Sequence, residues 1–172
     1  WDKSELAGLF KHEMELVGGR VHEVANLQEA KACLHLLVKT LGASSYLRST
    51  DSADSMVDKV IEGLSIPEAR DPADADVGIT GARYGVAATG TLVLTSEAGR
   101  KASLLPMNHI ALLSADQLVP TLTEALEAHQ GAMPSAWVQA TGPSRTADIE
   151  LTLTTGVHGP GVVHVILLSS RG

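Results

Sequence analysis

From Lys3 to Val17 the apolar residues Leu6, Leu9, Phe10, Met14 and Val17 recur at spacings of three and four. That spacing lays a single apolar stripe along a helix, which Gly18 and Gly19 end. Arg20 to Val24 reads as a short strand. Leu27 to Leu41 carries a second helical pattern, with Asn26 suited to cap its start and Gly42 to stop it. Tyr46 to Arg48 forms the next predicted strand, and Met56 to Leu64 a third helix with Met56, Val57, Val60, Ile61 and Leu64 on adjoining faces.

After an acidic loop, EARDPADAD, the pattern changes to short uncharged runs: DVGIT, TLVLT, HIALL, AWVQA and VVHVILL. Runs of this kind are the mark of interior strands, buried on both faces of a parallel sheet. A basic loop at Arg100 and Lys101 precedes HIALL, and a helix is predicted from about Gln117 to His129, with Pro120 in its first turn. In TADIELTLTTG, Leu151 and Leu153 alternate with Thr152 and Thr154 as in a strand, while Ser144, Thr146 and Asp148 are natural helix caps. The caps favour a helical turn beginning near Thr146. The whole pattern, about seven short strands interleaved with at least four helices, predicts one α/β domain over residues 1–172, with a mostly parallel sheet covered on both faces.

Composition sharpens this picture. At 172 residues one hydrophobic core suffices, and with aromatics at only 3% it must be filled by Val, Leu, Ile and Ala. The formal net charge of −7 provides no broad positive field for nucleic acid or anionic lipid. No apolar stretch reaches the roughly 18 residues of a membrane span, and WDKSELAGLF lacks a signal-peptide pattern; the chain starts at Trp1 rather than Met, which leaves room for an upstream segment. The single Cys33, set among apolar neighbours in KACLHLLVKTL, excludes an intrachain disulfide and a cluster or zinc site built on several thiolates of this chain. A reducing cytoplasm is the expected compartment.

Three Gly-rich segments concentrate the candidate chemistry. In TGARYGVAATGTLVLTS, Gly81, Gly85 and Gly90 punctuate the passage between two buried strands, and Thr89 and Thr91 add hydroxyls beside Gly90. Such strand-end loops let backbone N–H groups converge on a ligand, and the same glycines also suit tight turns packed on a sheet. In ATGPSRTADIE, the residues Gly142, Ser144, Arg145, Thr146 and Asp148 would suit a carboxylate or phosphate if a helix began there; otherwise Arg145 pairs with Asp148 or Glu150. In GVHGPG, His158 beside Gly159 could exchange protons near neutral pH or brace a turn. His109, with Asn108, opens the HIALL strand and could face the same crevice, whereas His164 inside VVHVILL fits a satisfied buried histidine. H-E-x-x-H, G-x-S-x-G, C-x-x-C and the P-loop are all missing from the sequence, so no metal site or catalytic residue is assigned.

Taken together, GVAATGTLVL, SLLPMNHIALL and GPSRTADIELTLTTGVHGP resemble the LUD-domain family of lactate-utilization proteins, of the LutC/YkgG kind, over roughly Asp76 to Leu168. The resemblance implies a three-layer NagB/RpiA/CoA-transferase-like fold. It also implies a role in oxidising L-lactate to pyruvate, accessory to iron–sulfur partner proteins that would hold the clusters this one-cysteine chain cannot. Ala88 stands where the family's A-E-[TS]-G-T motif has an acidic residue, so the resemblance supplies no carboxylate nucleophile there. The function expected is therefore binding of a small anionic ligand at the Gly-rich loops. The alternative is a stand-alone transferase or isomerase acting on a CoA ester or sugar phosphate.

Overall fold

The computed structural model describes residues 1–49, 55–95, 100–129, 137–143, 145–147, 153–155 and 159–169, with the backbone alone for Arg100, 145–147 and 153–155. The N-terminal pattern folds as its periodicity requires. Helix α1 (Lys3–Leu16) is capped by Asp2, which accepts from Glu5 N at 2.8 Å while Glu5 accepts from Asp2 N at 3.0 Å. Strand β1 (Arg20–Val24) leads to α2 (Leu27–Thr40), where Asn26 accepts from Glu29 N at 2.9 Å. Strand β2 (Tyr46–Arg48), α3 (Ser55–Ile61) and β3 (Val77–Gly81) follow.

The second half holds β4 (Tyr84–Val86), β5 (Thr91–Thr95), α4 (Arg100–Leu104), β6 (Asn108–Ser114), β7 (Leu118–Val119), α5 (Leu122–Ala128), β8 (Trp137–Ala140), β9 (Arg145–Ala147), β10 (Leu153–Thr155) and β11 (Val162–Leu168). The central sheet is five-stranded and wholly parallel, in the order β1-β11-β6-β3-β2. One face is covered by α2 and α3, whose Leu34, Val38, Val57 and Val60 meet Ile79, Ile110, Leu112 and Ile166. The other face is covered by α1 and a second, four-stranded sheet, β7-β4-β5-β8, with Phe10, Met14, Leu92 and Leu94 against Ala111, Leu113 and Val165. The result is a three-layer α/β arrangement with its parallel sheet in the middle, as expected. The outer side of the smaller sheet is closed by Ala125 of α5 with Tyr84, Val86 and Val93.

Four sequence expectations need correction. Arg145–Ala147 is a strand, not a helical turn: it pairs antiparallel with β10, Thr146 opposite Thr154, so the Leu/Thr alternation outweighed the capping residues. The helix expected from Gln117 is broken in two. A capped 3-10 turn over Ala115–Gln117 delivers Leu118 and Val119 to pair with Gly85 and Val86, and α5 starts only after Pro120. The basic loop at Arg100 and Lys101 is the start of α4. TLVLT and AWVQA, read as strands of the parallel sheet, are β5 and β8 and pair antiparallel in the second, smaller sheet, whose β4 and β7 were not foreseen.

Candidate functional site

His109 is the second residue of β6, paired with Gly78 on one side and Val163 of β11 on the other. The alternation of the strand turns it, with Ala111 and Leu113, toward the face that carries the smaller sheet. It is 1% exposed, and its Nε2 lies 2.8 Å from Thr80 Oγ1, also buried, on β3. Burial lowers its pKa from 6.5 to about 4, so the ring is neutral at physiological pH. Nδ1 has no hydrogen-bond partner among the described residues.

That ring lines a cavity of about 220 Å³ at the amino ends of β6 and β11. Its walls come from four places: the last turn of α4 (Ser103, Leu104), β8 (Val138, Gln139, Ala140), the segment after it (Thr141, Gly142, Pro143) and the approach to β11 (Gly159, Pro160). Three predicted residues, His109, Gly142 and Gly159, therefore converge on one space. Thr91 joins them through a relay of hydroxyls, Thr89 to Thr91 at 2.8 Å and Thr91 to Thr141 at 2.7 Å, that ends on the cavity wall. Open α/β sheets usually bind at the carboxyl ends of their strands; this cavity lies at the opposite end.

Other predicted residues have different duties. Asn108 donates from Nδ2 to the Asp76 carbonyl at 3.0 Å and so ties the start of β6 to the start of β3. Gly90 has φ 58°, and a Cβ there would sit 2.6 Å from Met14 Cα and closer still to Met14 N, so its role is to let α1 approach. Gly142, with φ 72°, likewise accommodates Val17 at the end of α1. The sequence marked both as glycines that admit a ligand; in the fold they admit a helix. The side chains of Arg145 and Thr146, and all of Ser144, Asp148 and His158, lie outside what the structure describes.

Sequence reasoning missed Thr141, Gln139, Ser103 and Thr80. A lone polar residue in or beside an element has no periodic signal: Thr80 reaches His109 from the adjacent strand β3, Ser103 from α4, and Gln139 and Thr141 only when the smaller sheet closes over the larger. His164, as expected, is a satisfied buried histidine: its Nδ1 lies 2.9 Å from His22 Nε2, the rings stack, and burial with the neighbouring His22 lowers its pKa to about 4. Cys33 is half-buried against the α2–α3 side of the core, where burial raises its thiol pKa. Among the described residues there is no cluster suited to a metal ion and no helix long and apolar enough to cross a membrane.

In chemical terms the cavity offers a neutral imidazole, hydroxyls and an amide, and its described lining has no Lys or Arg. It can hydrogen-bond and orient a small polar molecule.

Comparisons with known proteins place this arrangement. Lactate utilization protein C of Bacillus subtilis strain 168 is 42% identical over 105 residues, covering 56% of this chain and 44% of that protein. Its counterpart in Halalkalibacterium halodurans is 45% identical over 105 residues, covering 56% of this chain and 46% of that protein. The matched stretch thus spans less than half the length of these relatives. The crystal structure of a DUF162 family protein from Deinococcus radiodurans superimposes with a TM-score of 0.69 at 22% identity, covering 98% of this chain and 99% of that one, which supports the fold. A model of the LUD domain matches residues 7–168, extending the resemblance seen in the second half through the N-terminal helices, and the chain belongs to the LUD domain family.

Proposed function

We propose that this chain is the ligand-binding component of a cytoplasmic lactate-utilization system, holding a short carboxylate such as lactate or pyruvate in the His109 cavity and working beside iron–sulfur partner proteins. The observation that carries the reading is a buried, neutral histidine with one ring nitrogen unpartnered among the described residues, set in a small cavity of a LUD-family chain. At about 220 Å³ the cavity falls below the roughly 300–1,000 Å³ of pockets for drug-sized ligands, which favours a short acid over a CoA ester or a nucleotide. A neutral imidazole donates to or accepts from a ligand oxygen without adding charge. A carboxylate therefore needs a cation from elsewhere. Arg145 follows Pro143 by two residues in the sequence and His158 precedes Gly159, which makes both the first positions to test.

The names of the relatives support the lactate role, and the single Cys33 supports placing any iron–sulfur cluster in partner proteins. The test is affinity purification of the native protein from its own cells, with iron measured in what accompanies it, together with growth on L-lactate of a deletion strain carrying each variant. Co-purifying iron, and poor growth with His109→Ala or Arg145→Ala, are expected. Isolation without an iron-containing partner and full growth of both variants would contradict the reading.

A further inference from the structure

A second cavity, of about 350 Å³, opens at the other end of the central sheet, lined by Arg83, Tyr84, Asp116 and Gln117. Its position follows from the topology. β3 and β6 are parallel neighbours with Gly81 beside Leu112; Arg83 and Tyr84 come just after β3, and Asp116 and Gln117 just after β6. The cavity thus lies outside the carboxyl ends of two adjacent parallel strands, the place where open α/β sheets bind ligands.

The loops that form it are held before any ligand arrives. Gln117 donates from Nε2 to the Ala82 carbonyl at 2.7 Å and to the Arg83 carbonyl at 3.3 Å, and its Oε1 accepts from Ser114 N at 2.9 Å. One side chain therefore clamps the turn after β3 to the turn after β6. Arg83 N donates to Val93 O at 2.8 Å and Ala82 N to Leu112 O at 2.9 Å, which fixes the backbone on both sides of the cavity. Above this frame the Arg83 guanidinium lies 5.9 Å from the centre of the buried Tyr84 ring and has no carboxylate partner among the described residues. The acid in the same cavity, Asp116, is ion-paired with Lys3 at the start of α1, so its charge is already offset.

We infer that this cavity is a second binding site, for a small metabolite bearing a carboxylate or phosphate group. The Arg83 fork takes the oxyanion in a bidentate contact, and Asp116 accepts a hydrogen bond from a hydroxyl or amine on the same ligand. The inference is independent of the His109 cavity, which lies at the opposite end of the parallel strands and shares no lining residue with this one.

The probes are inorganic phosphate and L-lactate, titrated separately into the full chain at constant ionic strength. The readout is the Arg83 Nε–H resonance, with isothermal titration alongside. Saturable movement of that resonance is expected with at least one probe, and which of the two acts separates a phosphate site from a carboxylate site. Arg83→Ala should weaken that binding about ten- to a hundredfold, Arg83→Lys should weaken it less, and His109→Ala should leave it unchanged. If Arg83→Ala fails to fold, the wild-type resonance and Arg83→Lys still decide. An Arg83 resonance that neither probe moves, or equal affinities in wild type and Arg83→Lys or Arg83→Ala, would overturn the site. Loss of binding in His109→Ala alone would place the ligand in the other cavity and also overturn it.

Discussion

Replacing Gly90 with Val tests how the smaller sheet and α1 are joined. Gly90 has φ 58°, a conformation that costs an L residue roughly 1–2 kcal/mol, and a β-branched one at least that. The new Cβ would also lie 2.6 Å from Glu13 C and Met14 Cα, which are helix backbone and cannot rotate away. Relieving the overlap means lifting α1, at roughly 1–3 kcal/mol for an overpacked contact. Phe10 and Met14, the α1 side chains buried completely against the sheets, would start to be drawn out of the core. The sum is about 2–5 kcal/mol, a large share of the ~5–15 kcal/mol that holds a domain together. At ~2–4 °C per kcal/mol for a chain of this size, the melting temperature should fall by roughly 10 °C, read by circular dichroism and checked by urea titration. Gly8→Ala is the control: it lies in the same helix with nothing within 4 Å of its Cβ, and should raise stability by about 0.5–1 kcal/mol. A Gly90→Val protein that melts with the wild type would refute the reasoning, since the close approach of α1 would then have no energetic weight.

Two further outcomes follow from the same geometry. Because burial lowers the His109 pKa from 6.5 to about 4, the unfolded chain binds a proton that the folded chain refuses across that window. Stability is therefore complete above about pH 6.5 and falls as pH drops toward 4, by roughly 3 kcal/mol for this residue; His164 acts in the same direction, and His109→Gln should flatten the slope in urea titrations taken at several pH values. Gly78→Ala places a Cβ 2.7 Å from Ala102 C and closer to its carbonyl oxygen, so α4 should shift and carry Ser103 and Leu104 with it. Ligand affinity at the His109 cavity is then expected to fall along with stability, and a crystal structure of the variant with α4 unmoved would show the expectation wrong.

The central sheet was legible because burial writes itself into short apolar runs. There β1 and β2 match the predicted spans, and α1 and α2 match within a residue or two, their starts fixed by Asp2 and Asn26. The smaller sheet was legible only in part: β5 matches its predicted span and β8 falls within AWVQA, but their neighbours were missed. β4 and β7 are three and two residues long, and Leu118 becomes a strand residue only by pairing with Gly85, a contact that no local pattern encodes. The site was half legible for a related reason. His109 was marked by its place at the head of an apolar run, whereas Thr141 and Ser103 acquire meaning only when β8 and α4 close around it. Glycine was the ambiguous signal: the residue that lets a ligand approach also lets α1 approach, and at Gly90 and Gly142 the fold used it for the second purpose.

The most direct test of the proposed ligand site is isothermal titration of L-lactate and pyruvate, separately, into the wild-type chain and into His109→Gln, with the melting temperature of each recorded. Gln can keep a hydrogen bond to Thr80 but lacks the second ring nitrogen of His109. The account predicts saturable binding of at least one of the two acids by the wild type, about tenfold or more weaker in His109→Gln, with little change in melting temperature at neutral pH. Equal affinities in the two proteins, or no saturable heat from either acid with the wild type, would contradict it.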